Sequence, residues 1–457
     1  MRSTTKRAYV IFALIIAFFA GLGLMMYSFY TNGGTWAAHR INGHVFTNRQ
    51  LTTAGTVYDR NGKVLVESKD GERYFSKDYY IRKSTLHVVG DSQSFIATGI
   101  QTLYRPELIG YSFVNGVYDA VRTRKNISLK LTVDADVSAT AYKAMNGNKG
   151  TVCVYNYKTG KVVCMVSAPT YDPHNKPSDI DSDTTGRYDG IYLNRAVSGV
   201  FTPGSTFKVV TAICAVENIP DIYSRSFTCN GKYHTETGDV ICNNKSGHGT
   251  LNFERALNVS CNSVFAQLAN ELGKKKLTQT VEKLGFFDSV EVSRMKTKKS
   301  IFNVDKSTSL DLGWAGIGQY TTLVNPVQML MLAGAIANSG QAVVPYVVSE
   351  KILGTTPASV NKNISLSPET AGKIKKLMRS NVQNYYGDSK FPGLEMCGKT
   401  GSAEVIDKRS HAWFFGFSQK ENFPYAIVVC LENGGTGYYD AIPVANKVMQ
   451  AVYKAYK

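Results

Sequence analysis

The first strong hydrophobic pattern in the chain is an uninterrupted apolar run near its beginning. Residues 9–30 carry no charged side chain, and a helix of this length can cross the hydrocarbon core of a bilayer. Arg2, Lys6 and Arg7 precede the run, and the next basic residue is Arg40. The positive-inside rule therefore predicts a cytoplasmic tail at 1–8, a single-pass transmembrane anchor at 9–30 and an extracytoplasmic remainder.

A cleaved signal peptide is the alternative interpretation of this run. The small residues at 17–21 offer a cleavage site. The apolar region continues well past that point, however, and is longer than a signal peptide requires, which favours the uncleaved anchor.

Short alternating segments follow the anchor. In residues 55–68, GTVYDRNGKVLVES, two runs of alternating apolar and polar residues flank Asn61-Gly62, which is a strong hairpin signal. No cluster of His, Cys or paired carboxylates accompanies them. We therefore expect residues 31–128 to form a small β-rich N-terminal stalk, or pedestal, with a structural role.

The pattern changes from about residue 129 onward. Residues 131–145 predict a strand that runs into a helix, and 150–172 predict two β-branched strands about a turn at Lys158-Thr159-Gly160. Strands are also predicted at 394–405, 411–418 and 424–432, with a C-terminal helix after them and mostly helical patterns between the two sets. Strands from both ends of a domain, with helices between, predict an α+β fold for 129–457, an antiparallel sheet covered by helices.

Composition and charge narrow the range of possible functions. The chain has 457 residues, 43% of them hydrophobic, with 52 basic against 35 acidic side chains and a net charge of +17. This is an ordinary globular composition, long enough for one large and one small domain. No nucleic-acid-binding motif accompanies the charge, so we expect no nucleic acid partner. An anionic membrane or wall surface fits better, with a merely solubilising charge as the alternative.

The segment FTPGSTFKVV (201–210) places a serine and a lysine three positions apart at the start of a predicted helix. This spacing brings Ser205 and Lys208 onto one face. A lysine is disfavoured there as a structural residue, because burial and the positive helix end both oppose its charge. The same effects lower its pKa, so that the neutral amine can take the proton of the serine.

Two further triplets follow in order. Ser260-Cys261-Asn262 lies between two predicted helices, and Lys399-Thr400-Gly401 lies in a predicted strand. Each triplet alone is a weak signal. The ordered set S-x-x-K, S-x-N and K-T-G is the signature of penicillin-binding proteins and class A β-lactamases.

With these motifs the chain resembles the class B penicillin-binding proteins, which are monofunctional D,D-transpeptidases, and within them the short A type. Further segments support the resemblance: GTVYDRNGKVL in the stalk, SAPTYDPH, GIGQYTTLVNPVQMLMLAGAIANSG, and CGKTGSAE followed by HAWFFGF. The resemblance implies a transpeptidase domain of the penicillin-binding and serine β-lactamase fold, anchored in a bacterial cell membrane. It also implies cross-linking of peptidoglycan stem peptides through a serine acyl-enzyme, and inhibition by β-lactams. His174 and Tyr320 depart from the usual pattern, but neither replaces a catalytic group.

The resemblance also implies a role for each motif residue. Ser205 is the nucleophile and Lys208 its base. Ser260 relays a proton to the leaving amine, Asn262 holds the substrate backbone and Lys208, and Lys399 keeps the site positive. The chemistry requires no metal and no cofactor.

The remaining implied roles concern substrate binding. Thr400 and Ser402 bind the substrate carboxylate, with Gly401 between them in the same strand segment. The backbone N–H groups of Ser205 and Ser402 form the oxyanion hole.

Partners are also implied by the resemblance. We expect peptidoglycan stem peptides and β-lactams as ligands, and a SEDS-type glycosyltransferase as a membrane partner. The roughly one hundred residues between anchor and transpeptidase domain are too few for a polymerase domain. Ala17-x-x-x-Gly21 in the anchor is a small-xxx-small spacing that permits close helix approach.

Three alternative functions stay open at this point. A β-lactamase of the same fold needs a water-activating carboxylate, and Glu254 and Asn258 have an E-x-x-x-N spacing but precede Ser260. A D,D-carboxypeptidase uses the same residues with water as acceptor. A non-catalytic β-lactam sensor or wall scaffold would not need intact Ser205, Lys208 and Lys399.

Other conspicuous residues have structural interpretations. Cys229 and Cys242 bracket a polar loop, and a disulfide between them is expected in an oxidising compartment, with a zinc site that includes His234 and His248 as the less favoured alternative. Cys153 and Cys164 lie symmetrically about the Lys158-Thr159 turn and could face each other, although buried thiols are the preferred interpretation. Buried thiols are also expected at Cys261 and Cys397. His411 is expected to be a strand residue, and Trp314 to pack in the core.

Overall fold

The computed structural model describes residues 2–39, 41, 46–47, 50–51, 54–114, 116–117, 128–349, 359–361 and 363–456. The expected stalk at 31–128 is therefore described in part, and residues 118–127 lie outside the described residues.

Helices account for much of the chain. The described helices are α1 (Arg2–Ala37), α2 (Tyr79–Val89), α3 (Ile100–Leu103), α4 (Arg105–Leu108), α5 (Ala135–Ala144), α6 (Arg195–Ser198), α7 (Lys208–Asn218), α8 (Phe253–Asn258), α9 (Asn262–Lys283), α10 (Ser309–Gly316), α11 (Pro326–Ala337), α12 (Pro368–Ser380) and α13 (Ile442–Tyr456), with 3₁₀ turns at Ile180–Ser182, Gly204–Phe207 and Asp388–Lys390 and π-helical turns at Asn381–Tyr386 and Gly437–Ala441.

Strands occur in the stalk, at both ends of the body and, as short pairs, in its middle. The described strands are β1 (Phe46–Thr47), β2 (Gln50–Leu51), β3 (Thr56–Tyr58), β4 (Val64–Lys69), β5 (Glu72–Phe75), β6 (Ser128–Lys130), β7 (Gly150–Asn156), β8 (Val162–Ala168), β9 (Ser226–Cys229), β10 (Lys232–Thr235), β11 (Gly238–Ile241), β12 (Gly249–Asn252), β13 (Glu291–Val292), β14 (Met295–Lys296), β15 (Met396–Val405), β16 (Lys408–Ser418) and β17 (Tyr425–Leu431).

The N-terminal helix contains the predicted anchor. α1 includes residues 9–30, and the apolar side chains of this stretch are exposed. Among the described residues it is the one helix long and apolar enough to cross a membrane. A row of exposed apolar side chains of this length requires an apolar environment, which supports the membrane anchor.

The stalk contains a four-stranded sheet in the order β5-β4-β3-β6. The predicted hairpin is confirmed, with β3 and β4 antiparallel around a turn that includes Asn61-Gly62. β6 pairs in parallel with β3, so the boundary expected between residues 128 and 129 falls inside a strand of this sheet.

One side chain joins the stalk to the body. Asp134 caps α5 by accepting from the backbone N–H groups of Asp136 and Val137. Its other oxygen accepts from the Asn61 amide at 3.0 Å and from the Tyr456 hydroxyl at 2.8 Å. The hairpin turn, α5 and the C-terminal helix therefore meet at one buried carboxylate.

The body is built on a five-stranded antiparallel sheet in the order β15-β16-β17-β7-β8. The side chains along each strand point alternately into two buried cores. Trp413, Phe415 and Val428 face the core that contains α7 and α11, whereas Phe414 and Val429 face the core that contains α5 and α13. Helices cover both faces of an antiparallel sheet, which confirms the predicted α+β fold.

The register of the β7–β8 hairpin corrects one expectation. Cys153 pairs with Met165, and Cys164 pairs with Val154. Because side chains alternate between the faces of a strand, the two cysteines point into opposite cores and cannot face each other. They are buried free thiols, as preferred.

Candidate active site

The nucleophile segment is folded tightly against its neighbours. Ser205 lies in the 3₁₀ turn Gly204–Phe207, and Lys208 is the first residue of α7. Gly204 has φ +53°, a conformation that favours glycine, and its N–H donates to the Gly318 carbonyl at 2.9 Å. The Trp413 indole donates to the Thr202 carbonyl at 2.9 Å. The turn that presents Ser205 is therefore fixed from two sides.

Lys208 is fully buried, and its Nζ has four oxygen neighbours. It lies 2.7 Å from the Ser260 carbonyl and 2.7 Å from Asn262 Oδ1, both of which accept hydrogen bonds only. It also lies 3.0 Å from Ser205 Oγ and 3.2 Å from Ser260 Oγ. A neutral amine has two N–H donors for the two obligate acceptors, which leaves its lone pair for a serine hydroxyl.

The Asn262 side chain is oriented by a second contact. Its Nδ2 donates to the Ile241 carbonyl at 3.0 Å, so its oxygen must point toward Lys208. The short bond to Lys208 is thus a donor–acceptor pair and not a clash of two donors.

Burial dominates the electrostatics of the two lysines. It lowers the pKa of Lys208 to about 7, although the nearby Cys261 and Cys242 oppose the shift. Burial also lowers the pKa of Lys399 well below its ordinary value, and the adjacent Lys208 adds to that effect. Of two ammonium groups buried so close together only one has to give up its charge, so the implied role of Lys399 as the positive charge of the site stays a prediction.

The S-x-N triplet forms a strained turn between α8 and α9. Ser260 has φ +56°, which is unusual for a residue with a side chain, and Asn262 begins α9. This conformation brings both the carbonyl and the hydroxyl of Ser260 to Lys208. Lys399 Nζ lies 3.0 Å from Ser260 Oγ, so the hydroxyl lies between the two amines.

The K-T-G triplet lies on β15, the edge strand of the five-stranded sheet, next to the nucleophile turn. A Cβ on Gly401 would lie 2.6 Å from the Pro203 carbonyl oxygen and 3.1 Å from the Thr206 nitrogen. Only glycine permits this approach of strand to turn. A Cβ on Gly204 would lie 2.7 Å from the Ser402 carbonyl oxygen, so β15 and the nucleophile turn are in close contact.

The remaining predicted residues line the adjacent cleft. The Thr400 hydroxyl and the Tyr386 hydroxyl are 3.0 Å apart, and the Thr400 N–H donates to the same Tyr386 oxygen at 3.1 Å. Ser402 is exposed and accepts from the Gly437 N–H at 3.1 Å. Thr400 and Ser402 therefore present hydroxyls to one cleft, whereas Gly401 is buried between strand and turn.

The cleft has a volume of about 530 Å³, within the range of ligand sites. All the predicted motif residues with exposed polar groups border it, and the sequence analysis missed several of its other residues. These are Asn243, Gln319, Tyr385, Tyr386, Glu404, Thr436, Tyr438 and Tyr439. Gln319 and Glu404 fall within segments that support the family resemblance, where they have no role of their own. No motif marks the other six, although the adjacent tyrosines at 385–386 and 438–439 are visible in the sequence. Trp314 borders the cleft as well as packing against the core, so core packing alone was an incomplete expectation.

The histidine and cysteine expectations have mixed outcomes. His411 is a strand residue in β16, as predicted, and its Nδ1 accepts from the Asn433 N–H at 3.0 Å. Cys261 and Cys397 are buried free thiols, also as predicted. The expected Cys229–Cys242 disulfide is wrong, because both residues are free thiols.

A serine hydroxyl beside a buried lysine whose pKa is lowered to about 7, at the edge of an antiparallel sheet, defines an active-serine enzyme of the acyl-transfer class. Comparison with known proteins narrows this class. Residues 150–454 match the penicillin binding protein transpeptidase domain, and the chain belongs to that family.

Relatives and solved structures agree with this assignment. Peptidoglycan D,D-transpeptidase PbpA of Mycolicibacterium smegmatis is 28% identical over 361 residues, which are 71% of this chain and 72% of that protein. The D,D-transpeptidase domain of a peptidoglycan glycosyltransferase from Eggerthella lenta is 26% identical, with a TM-score of 0.75, over 88% of this chain and 99% of that one. A ceftriaxone acyl-enzyme of M. tuberculosis penicillin-binding protein A shares the fold, with a TM-score of 0.76 at 23% identity over 88% of this chain and 98% of that one.

The close approach at Gly401 generates a prediction. Gly401→Ala should slow acylation by a fluorescent penicillin on the order of 100-fold, because the added methyl displaces strand from turn. Gly372→Ala is the matched control, since its Cβ would meet no atom within 4 Å. Acylation rates and thermal unfolding midpoints are measured for both variants. An unchanged acylation rate in Gly401→Ala would show that the contact does not position the nucleophile.

Proposed function

We propose that this chain is a peptidoglycan D,D-transpeptidase that cross-links stem peptides through an acyl-enzyme on Ser205. The observation that carries the proposal is the position of Lys208 Nζ, 3.0 Å from Ser205 Oγ, with its two N–H donors directed to obligate acceptors. The family supplies the reaction class, and this geometry supports the assignment of the base.

In the first half-reaction, Ser205 Oγ attacks the carbonyl carbon between two terminal D-alanines while its proton passes to Lys208 Nζ. The backbone N–H groups of Ser205 and Ser402 are the proposed oxyanion hole. Ser260 then passes a proton to the nitrogen of the departing D-alanine, and Lys208 or Lys399 replaces it. The C–N bond breaks, and free D-alanine leaves an ester on Ser205.

In the second half-reaction, the amine of another stem peptide attacks the ester carbonyl. Lys208 takes the amine proton, the C–O bond breaks, and Ser205 recovers its proton, so no cofactor or net redox change is needed. Among the described strands β15 pairs with β16 alone. Side chains already occupy part of its other edge, since Asn381 donates to the Gly398 carbonyl and the Thr400 N–H donates to Tyr386, so the following stretch at 402–404 is the proposed place where a peptide backbone aligns by strand addition. Thr400 and Ser402 on that strand are the proposed contacts for the substrate carboxylate.

The location of Glu254 argues against the β-lactamase alternative. Its Oε1 accepts from the Ser380 hydroxyl at 2.7 Å, and that hydroxyl also accepts from the Asn258 amide at 3.0 Å. Among the described residues that line the cleft, Glu404 is the one carboxylate, and it belongs to the edge strand. The E-x-x-x-N pair is thus engaged in a structural network, and we expect a long-lived penicilloyl-enzyme.

We also infer the arrangement at the membrane. Residues 9–30 anchor the chain with 1–8 in the cytoplasm, 31–128 form the stalk, and 129–457 form the transpeptidase domain outside. A SEDS-type glycosyltransferase supplies the glycan strands and contacts the anchor and stalk. The exposed apolar side chains of α1 support a helix partner in the membrane as well as lipid.

The catalytic proposal predicts that Ser205→Ala abolishes covalent labelling by fluorescent penicillin. Lys208→Ala should reduce the acylation rate at least about 100-fold, the scale of a lost general base. Lys420→Ala is a control, because that amine lies on the surface and donates to the Gly393 carbonyl. Robust labelling of Ser205→Ala at another residue, or label lost from wild type within seconds, would contradict the proposal.

The membrane proposal predicts that a glycosyltransferase co-purifies with the full-length chain from native membranes. Replacing residues 9–30 by an unrelated apolar helix should impair both co-purification and cellular function while leaving penicillin labelling intact. Function that persists with the unrelated anchor would contradict a partner at this helix.

A further inference from the structure

A group of thiols and an imidazole lies just behind the S-x-N turn, outside the substrate cleft. It consists of Cys229, Cys242, His248 and Cys261, which we call the thiol–imidazole cluster. The three sulfurs and the imidazole nitrogen all lie within 4.8 Å of one another, and the three cysteines are buried. None of these groups has a part in the proposed acyl transfer.

Three of the six distances between ligand atoms in the cluster match a tetrahedral metal site. The Cys242 and Cys261 sulfurs are 3.8 Å apart, and His248 Nδ1 lies 3.5 Å from Cys242 Sγ and 3.6 Å from Cys229 Sγ. A tetrahedral metal with Zn–S bonds of ~2.3 Å and Zn–N bonds of ~2.05 Å has S···S edges of about 3.8 Å and S···N edges of about 3.55 Å. The other three pairs of ligand atoms lie within 4.8 Å of each other.

A disulfide does not account for this arrangement. Its sulfurs would have to lie ~2.05 Å apart, and one bridge would leave the third thiol and the imidazole unexplained. Ordinary burial of thiols as small apolar groups does not explain why four ligand atoms from four separate segments converge on one point.

The start of α9 provides a positive electrostatic environment for the cluster. Cys261 is the N-cap residue of α9, so the positive end of this helix lies at the sulfur atoms. Such an environment stabilises thiolates, which are the form that binds a metal.

We propose that the thiol–imidazole cluster is a structural Zn²⁺ site of the Cys₃His type. Four protein ligands close the coordination sphere, so the metal has no open position for substrate. Soft thiolates with one imidazole favour zinc over the oxygen-preferring Mg²⁺ and Ca²⁺.

The site joins three structural units, which are the β9–β12 pair, the β10–β11 pair and the S-x-N turn. Cys229 ends β9, Cys242 follows β11, His248 precedes β12, and Cys261 lies between α8 and α9. The strands involved form only two-stranded sheets, which are marginal on their own. A zinc ion here would fix these hairpins to the S-x-N turn. The proposal does not depend on the reaction that Ser205 performs.

The first test is the metal content of the full-length chain, purified in detergent without chelators from cells grown with zinc. Elemental analysis should find about one zinc per chain. His248→Ala should lose this zinc, with an affinity loss beyond the ~10–100-fold typical of an outer-shell partner. His234→Ala should retain it, because that exposed histidine pairs with Asp239 and lies outside the cluster. Iron or copper in place of zinc, or no metal in wild type, would overturn the proposal.

A second test uses only the wild-type chain, so that a misfolded variant cannot decide the outcome. Under native conditions a chelator should expose Cys229, Cys242 and Cys261 to alkylation, and added Zn²⁺ should protect them again. Cys214 and Cys430 are buried thiols outside the cluster and should stay unreactive throughout. A Cys229–Cys242 disulfide in mass-mapped peptides, or cluster thiols whose reactivity ignores both chelator and zinc, would refute a metal site.

Discussion

The burial of one amine sets the conditions for the rest of this site. Lys208 has no exposed surface, and a charged ammonium in such a place would cost several kcal/mol without compensation. The structure resolves this conflict through the two oxygens that accept from it, the Ser260 carbonyl and Asn262 Oδ1. These oxygens can hold a neutral amine in place, and they leave its lone pair for the hydroxyl of Ser205 or Ser260. Burial thereby makes the neutral, proton-accepting form of the amine available at neutral pH.

Holding those two acceptors in place constrains distant parts of the fold. The positive φ of Ser260 is tolerated because the turn is held between α8 and α9, and because the Asn262 amide bonds to the Ile241 carbonyl. Gly401 and Gly204 bring the edge strand and the nucleophile turn into contact. The proposed zinc ligand Cys261 lies between Ser260 and Asn262, so a metal there would reinforce the same turn.

Much of this arrangement could be predicted from the sequence, where local pattern and chemistry coincide. Ser205 and Lys208 are one helical turn apart, and the Asn61-Gly62 hairpin and the strand β17 have strong local signals. The ordered triplets indicate, through the family resemblance, that Ser260 and Lys399 lie beside Ser205 and Lys208. No local pattern predicts that proximity. The register of strand pairing and the convergence of distant loops could not be predicted from the sequence. The opposite orientation of Cys153 and Cys164 depends on a one-residue register difference, and the approach of His248 to Cys261 depends on how two hairpins fold back. The same limit applies to Tyr386 and Tyr438, which reach the cleft from π-helical turns.

The central claim is that Lys208 is neutral at physiological pH and acts as the base. The most direct measurement is the second-order rate constant for acylation by a fluorescent penicillin, from about pH 5 to about pH 9. Because the neutral amine is the active form and burial lowers its pKa to about 7, the rate should rise with pH through about 7 and then level off. A rate that is independent of pH across this range, or that still rises toward the ordinary lysine pKa of 10.5, would contradict the account.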